Sequence, residues 1–305
     1  MSSAARPLRA LALLTGAQCL FALLDATGKA LTVDMGVPLI SLARHAGQAA
    51  LMLLVLGPRM GGQLVQTRHP WLQLWRGLAM SGFTLFFFSA LFRLPQAEAT
   101  AINFVAPFVV MLLAAPVLGE RVSAVMWGGA GVGFLGMLVL ARPGSALDGV
   151  GVVFALLTMV CNVSFQLLTR KLAPLENSFS TMFLSSAISI VVSLAALPLQ
   201  SRWGGWPEAL GTREIALLFA TGALGAVSQW FFIRAYVWSS ASFIAPLLFM
   251  QLVWSTAAGW LFFAQLPDTT SLVGIAIILA SGVLTMFYAA RRARPVARHD
   301  PGAKP

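Results

Sequence analysis

The sequence predicts an all-α integral membrane fold: ten transmembrane helices laid out as two inverted repeats of five. Three observations predict it. The 305 residues are 58% hydrophobic and only 10% charged, with a mean hydropathy of +0.83, whereas a soluble domain carries about 25% charged residues. Apolar stretches close to the roughly 20 residues that cross a bilayer as a helix follow one another almost end to end. They divide five and five, and an odd number of spans per half turns the second half over relative to the first.

The elements follow in order. Span one, 10–31, comes after Arg6 and Arg9 and opens on the apolar run Leu11 to Leu24. That run mimics a signal peptide, but no small-residue cleavage site precedes the next polar break, so it is expected to stay as a helix. Span two, 38–57, stops at Gly57-Pro58. Span three, 71–93, and span four, 96–118, are parted by Leu94-Pro95. Span five, 122–141, ends at Arg142-Pro143-Gly144. Span six, 149–170, precedes Pro174, and span seven, 179–199, runs to Gly204-Gly205-Trp206-Pro207. Spans eight and nine, 214–237 and 240–263, end before Leu266-Pro267-Asp268, and span ten is 269–290. Proline and glycine at these breaks supply the turn chemistry that stops a helix. The tail 291–305, with Arg291, Arg292, Arg294, Arg298 and Lys304, is polar and expected to be disordered.

Lys and Arg positions set the orientation. With the N-terminus in the cytosol, Arg6, Arg9, Arg59, Arg68, Arg121, Arg170, Lys171 and the five tail residues lie inside. Lys29, Arg93, Arg142, Arg202 and Arg213 lie outside or near it. Twelve against five places both termini in the cytosol.

The repeat, 10–141 and 149–290, is visible at an offset of 145 residues. Gly77 meets Gly222, Phe86-Phe87 meets Phe231-Phe232, Ala90 meets Ala235, Phe104 meets Phe249 and Gly129 meets Gly274.

Span four and its exit, Ala97-Glu98-Ala99-Thr100-Ala101 through Ala106-Pro107 to Leu118-Gly119-Glu120-Arg121, resemble the first EamA repeat of the drug/metabolite transporter superfamily. Ala245-Pro246 through Gln251-Leu252-Val253-Trp254 to Gly259 and Leu266-Pro267-Asp268 resemble the second repeat. One departure stands out: the second Gly-Glu of that family is Ala264-Gln265 here. Phe21-Ala22-Leu23-Leu24-Asp25 with Lys29, and Arg76-Gly77, resemble a subgroup holding opine-type metallophore (pseudopaline) exporters and riboflavin or S-adenosylmethionine importers. The resemblance implies a ten-helix inner-membrane carrier with a central cavity, working by alternating access on a small organic molecule.

A charge at membrane depth needs a partner or a task. Of the ten acidic residues, Asp25 alone is expected well inside a span. Lys29 is one turn on, which allows an i,i+4 pair, and Arg44 on span two has similar depth. Asp25 either bridges one of these cations or takes up protons while Arg44 or Lys29 meets a substrate carboxylate. Arg76 and Arg234, near the cytosolic ends of spans three and eight, either snorkel to the headgroups or offer carboxylate-binding forks. Gln18, Asn103, Gln166, Gln229 and Gln251 either bond between helices or line the cavity. Trp230, Tyr236, Trp238 and Trp254 offer aromatic walls. With Arg44, the arginines point to a carboxylate-bearing, amino-acid-derived substrate. The many Phe and Trp residues argue for the rival, import of riboflavin or a similar aromatic metabolite.

Other classes fall away. The +10 net charge sits in loops and tail between apolar spans, as orientation requires and nucleic-acid binding does not. Gly131-Val132-Gly133-Phe134-Leu135-Gly136 spells GxGxxG inside an apolar helix, without the strand a dinucleotide site needs. Gly129 and Gly133 form a GxxxG face, for packing within the chain first and a homodimer second. Cys19 and Cys161 are expected as small buried residues. His45, His69 and His299 have neither metal-ligand nor catalytic spacing, so no cofactor, metal or enzymatic site is expected.

Overall fold

Ten α-helices are bounded among the described residues of the computed structural model. They are α1 (Ala5–Leu31), α2 (Val37–Met60), α3 (Pro70–Arg93), α4 (Gln96–Asn103) and α5 (Ala124–Ala141), then α6 (Gly149–Leu172), α7 (Ser178–Ala196), α8 (Thr212–Trp238), α9 (Met250–Phe263) and α10 (Thr269–Arg292). The structure describes residues 5–106, 108–110, 113, 124–141, 147–172, 175–202, 205–207, 210–238 and 250–292. Helix starts follow local chemistry. Proline opens α2 and α3, where its missing N–H is no loss. Asn177 caps α7 by accepting from Phe179 N at 2.9 Å, and Asp268 caps α10 by accepting from Ser271 N at 2.9 Å.

Among the described residues, six segments are long and apolar enough to cross a bilayer: Leu11–Leu31, Val37–Val65, Pro70–Arg93, Gly149–Thr169, Ser178–Ser201 and Thr212–Phe232. Trp127–Leu140 in α5 and Thr269–Thr285 in α10 are shorter apolar helices. Parts of the expected fourth and ninth spans, 114–123 and 239–249, lie outside the described residues. So do the Leu118-Gly119-Glu120-Arg121 and Ala245-Pro246 motifs, the side chains of Tyr236 and Trp238, and the tail from 293.

Span four breaks where the sequence forces it. Helix α4 stops at Asn103, whose carbonyl would need an N–H at position 107, where proline has none. The chain turns at Phe104–Val105, with Phe104 N donating to Thr100 O at 3.0 Å and Val105 N to Ile102 O at 3.2 Å.

The helices pair in a regular way. α1 packs on α8 and α3 on α6; α2 packs on α8 and α3 on α7; α1 packs on α9 and α4 on α6. α2 with α7, α4 with α9 and α5 with α10 complete the main contacts. Glycine permits the closest approaches. Gly47 of α2 and Gly222 of α8 meet backbone to backbone, and Gly129 of α5 lies against Thr285 of α10 as Gly274 lies against Leu140. Gly133 is covered by Phe108, so the expected GxxxG face is filled within the chain.

Large apolar side chains face outward at mid-helix, among them Leu54, Phe219, Leu261 and Leu284, each at least two-thirds exposed. Lipid is the solvent that makes this favourable. The main apolar core gathers where α1 ends and α4 begins, around Leu31, Met35, Phe88, Leu94, Ile102 and Leu252. Cys19 and Cys161 are free thiols.

Candidate functional site

Gln18, Ala22, Asp25 and Lys29 are spaced 7, 3 and 4 apart counting from Gln18 to Asp25, Ala22 to Asp25 and Asp25 to Lys29, one stripe of α1, and all four are buried. Gln251 of α9 donates to Asp25 Oδ2 at 3.3 Å. Arg44 of α2 is the cation that Asp25 faces. Its guanidinium lies 5.8 Å from the Phe88 ring, 7% of the residue is exposed, and its Nε and Nη1 have no hydrogen-bond partner. The Arg44 stem and Gln48 Oε1, one turn on, border Gly225 of α8, each 3.9 Å from where a Cβ would stand. Trp254, one turn along α9 from Gln251, also buries an indole N–H without a partner. Beside Arg44, His45 bonds Thr84 Oγ1 at 3.1 Å. Buried donors without acceptors are rare and costly, so this corner of α1, α2 and α9 is arranged to receive an acceptor-rich group.

The Asp25–Lys29 pair allowed by spacing does not form. Lys29 turns away, donates to the Leu94 carbonyl at 2.6 Å and lies 5.3 Å from the Phe263 ring centre. The charge it faces is Glu98, a second buried acid, 3% exposed, in the first turn of α4. Glu98 was not singled out from sequence: it stands in the first turn of α4, three residues after Pro95, where Lys29 of α1 and Ser271 of α10 reach it. Asp25 and Arg44 face one another as charges, while the hydrogen bond to Asp25 comes from Gln251.

Arg76 and Arg234 are not brought together. Arg76 does not snorkel: it is 3% exposed and donates to Thr169 Oγ1 at 2.8 Å, to the Thr181 carbonyl at 2.9 Å and to Ser185 Oγ. Its guanidinium stacks 4.4 Å from the Phe165 ring. This arginine ties α3 to α6 and α7. Arg234 is exposed and lies over Trp230, itself half exposed, at 5.6 Å, as a snorkelling cation over an interfacial ring would. Gln229, the residue before Trp230, is half-buried.

Asn103 and Gln166 meet through a residue not singled out from sequence. Asn162 donates to Asn103 Oδ1 at 3.0 Å and accepts from Gln166 Nε2 at 3.1 Å. An apolar groove of about 310 Å³ between α9 and α10, lined by Leu252, Trp260, Leu272 and Ile275 among others, is separate from these polar groups.

Outside the spans, Glu176 joins two loops. It accepts from Thr67 Oγ1 at 2.8 Å, Arg68 N at 2.7 Å and His69 N at 3.0 Å. Burial pulls its carboxyl up, but these bonds outweigh burial and hold it below the usual range. At the other end of α3, the Arg93 side chain bonds Asp148 at 2.8 Å and holds that carboxyl low.

Residues 9–142 match the EamA-like transporter family. Over 282 residues the chain is 28% identical to the riboflavin transporter of Rhizobium johnstonii, covering 90% of this chain and 89% of that protein. It is 27% identical to the S-adenosylmethionine uptake transporter of Rickettsia felis, covering 76% and 77%. It is also 27% identical to the pseudopaline exporter CntI of Pseudomonas aeruginosa, covering 75% and 80%. A solved crystal structure of a protein shares the fold, with a TM-score of 0.62 at 19% identity over 95% of this chain and 98% of that one. These matches bear out the EamA resemblance and point to a transporter of the drug/metabolite superfamily rather than an enzyme.

Proposed function

We propose that this chain, with its EamA-like first half, is a bacterial inner-membrane secondary transporter that exports a small, carboxylate-bearing, amino-acid-derived compound. The observation that carries the substrate class is Arg44: a buried guanidinium with two N–H groups waiting for an acceptor. A carboxylate fits that deficit, since charge-assisted bonds to guanidinium are the strong ones. Asp25 is the proton-coupling group. Ionised, it offers a counter-charge to the ammonium of an amino-acid-derived substrate; proton uptake from outside withdraws that charge and releases the substrate, so a proton enters as the substrate leaves. The interior-negative potential favours expulsion of a net anion by about 2.3 kcal/mol per charge per 100 mV, and so favours export.

The two halves, 10–141 and 149–290, act as inverted repeats that rock against each other, with both termini in the cytoplasm. What supports the repeat is an exchange rule in the packing. Exchanging α1, α2, α3 and α5 with α6, α7, α8 and α10 turns α1–α8 into α6–α3 and α2–α8 into α7–α3. The pairs α2–α7 and α5–α10 map onto themselves. At the sequence offset of 145, the Gly129–Thr285 contact maps onto Gly274–Leu140.

A second reading, import of a flavin- or nucleoside-type compound, is favoured by the Asn103–Asn162–Gln166 ladder. It leaves an amide N–H and an amide carbonyl for a heterocycle edge.

The test is mass-spectrometric profiling of cells and medium with the gene deleted, restored, and restored as Arg44→Gln. A carboxylate-bearing compound should build up inside and vanish from the medium on deletion, and R44Q should fail to reverse this while keeping the wild-type melting temperature. Full restoration by R44Q would refute the role of Arg44, and a compound depleted inside on deletion would reverse the direction.

A further inference from the structure

We propose that Glu98 is a proton-binding site of this transporter and that its charge attraction to Lys29, acting without direct ion-pair contact, is the latch that closes one end of the bundle. The inference rests on the alternating-access reading above. Lys29 stands in the last turn of α1. Its ammonium touches the last carbonyl before the Pro95 break and the last ring of α9, Phe263. Glu98 faces that ammonium from the first turn of α4 and accepts a hydrogen bond from Ser271 in the first turn of α10. Its Oε2 is buried with no partner. Two side chains thus gather the ends of α1, α3, α4, α9 and α10.

The layer beneath is closed as well. Gln96 donates to the Ala22 carbonyl at 2.9 Å, and the Thr100 and Ser255 hydroxyls are 3.0 Å apart. The main apolar core lies at this same end. The charged groups facing Glu98 are Lys29 from α1 and Asp268 from the segment before α10. On the α3–α6 side, Arg93 is engaged with Asp148.

An ionised carboxylate at this depth is held by the ammonium opposite it, and removing either charge leaves the other uncompensated. Proton uptake by Glu98 removes the charge without removing the side chain. The attraction to Lys29 ends, the repulsion from Asp268 ends with it, and α1 is left joined to α4 through neutral contacts alone. Proton loss restores the latch. Glu98 therefore stands at the door, while Asp25 stands beside Arg44 deeper along the same stripe of α1.

The test reads access and needs no transported substrate, so it can fail while the transporter reading stands. With Cys19 and Cys161 replaced by alanine, Ser255→Cys places a thiol directly under the latch. The purified protein in lipid nanodiscs is treated with a water-soluble maleimide over a falling pH series, with rates corrected for thiol ionisation using a free cysteine peptide. Labelling should be slow at high pH and rise on acidification. E98Q and K29M should label about ten-fold or more faster at high pH, since each removes one of the two attracting buried charges, with no further rise in E98Q. The exchanged pair K29E/E98K should recover protection. Wild-type labelling without pH dependence, or E98Q as protected as wild type, overturns the proposal. If the variants do not fold, amide hydrogen exchange of residues 95–101 in the wild-type protein decides it: a rise on acidification beyond the intrinsic rate supports the latch, and its absence overturns it.

Discussion

Gly222→Ala should loosen the crossing of α2 and α8 and with it the seat of Arg44. A Cβ at 222 would stand 2.8 Å from the Gly47 Cα and 3.4 Å from the Ala43 carbonyl; a Cβ at 47 would stand 2.6 Å from the Gly222 Cα. Carbon atoms come to rest about 3.5 Å apart, so the helices must part by about 0.7 Å for G222A and about 0.9 Å for G47A. Both obstacles are backbone, so no side chain can swing aside. Overpacking of this kind costs about 1–3 kcal/mol, and G47A should be the worse. The crossing lies one turn from Arg44 on α2 and one turn from Gly225 on α8, so parting it also moves the guanidinium from its pocket. The assay is thermal unfolding of the purified protein by tryptophan fluorescence, beside transport of whatever compound the profiling identifies. Gly131→Ala is the control, because nothing lies within 4 Å of a Cβ there. If G222A melts with G131A and the wild type, the close crossing is not a stability determinant and the reasoning fails.

Two further outcomes follow. Arg76→Lys keeps the charge but loses the fork that reaches Thr169, Thr181 and Ser185; with charge-assisted bonds at about 1.5–3 kcal/mol each it should melt well below wild type yet transport normally once folded, and wild-type stability with lost transport would make Arg76 a substrate group instead. The Glu176 carboxyl is held low, so its stabilisation is present above its unfolded value of 4.5 and is lost as the pH falls through the lower folded value; protease cleavage in the 66–69 loop should rise below about pH 4.5 in wild type and be pH-independent in Glu176→Gln.

Among the described residues, six of the expected spans were legible because length and apolarity decide which segments lipid accepts, and their helix ends fell within a few residues of the Pro and Gly breaks. Partners were harder to read. The i,i+4 spacing of Asp25 and Lys29 was compatible with a pair, but spacing on one helix cannot weigh a carbonyl offered by another, and Leu94 took the ammonium. Glu98 was hidden because depth was counted from the nearest break, whereas burial there is imposed by α1 and α10. Arg76 was hidden for a different reason: its partners are two hydroxyls and a carbonyl, which leave no charge pattern to find. Arg44, by contrast, stood out as a cation in the outer third of span two, and it is the group left wanting an acceptor.

The exchange of partners between the halves bears on how the chain is made. Helix α1 leaves the ribosome before its chief neighbour, α8, which ends 207 residues later. At about 5–20 residues per second that is a delay of roughly 10–40 s. During it, Asp25 and Lys29 must sit in or beside the bilayer without the helices that will bury them, and Arg44 on α2 waits as well. Expressed as two separate pieces, the halves should be rescued only when made together.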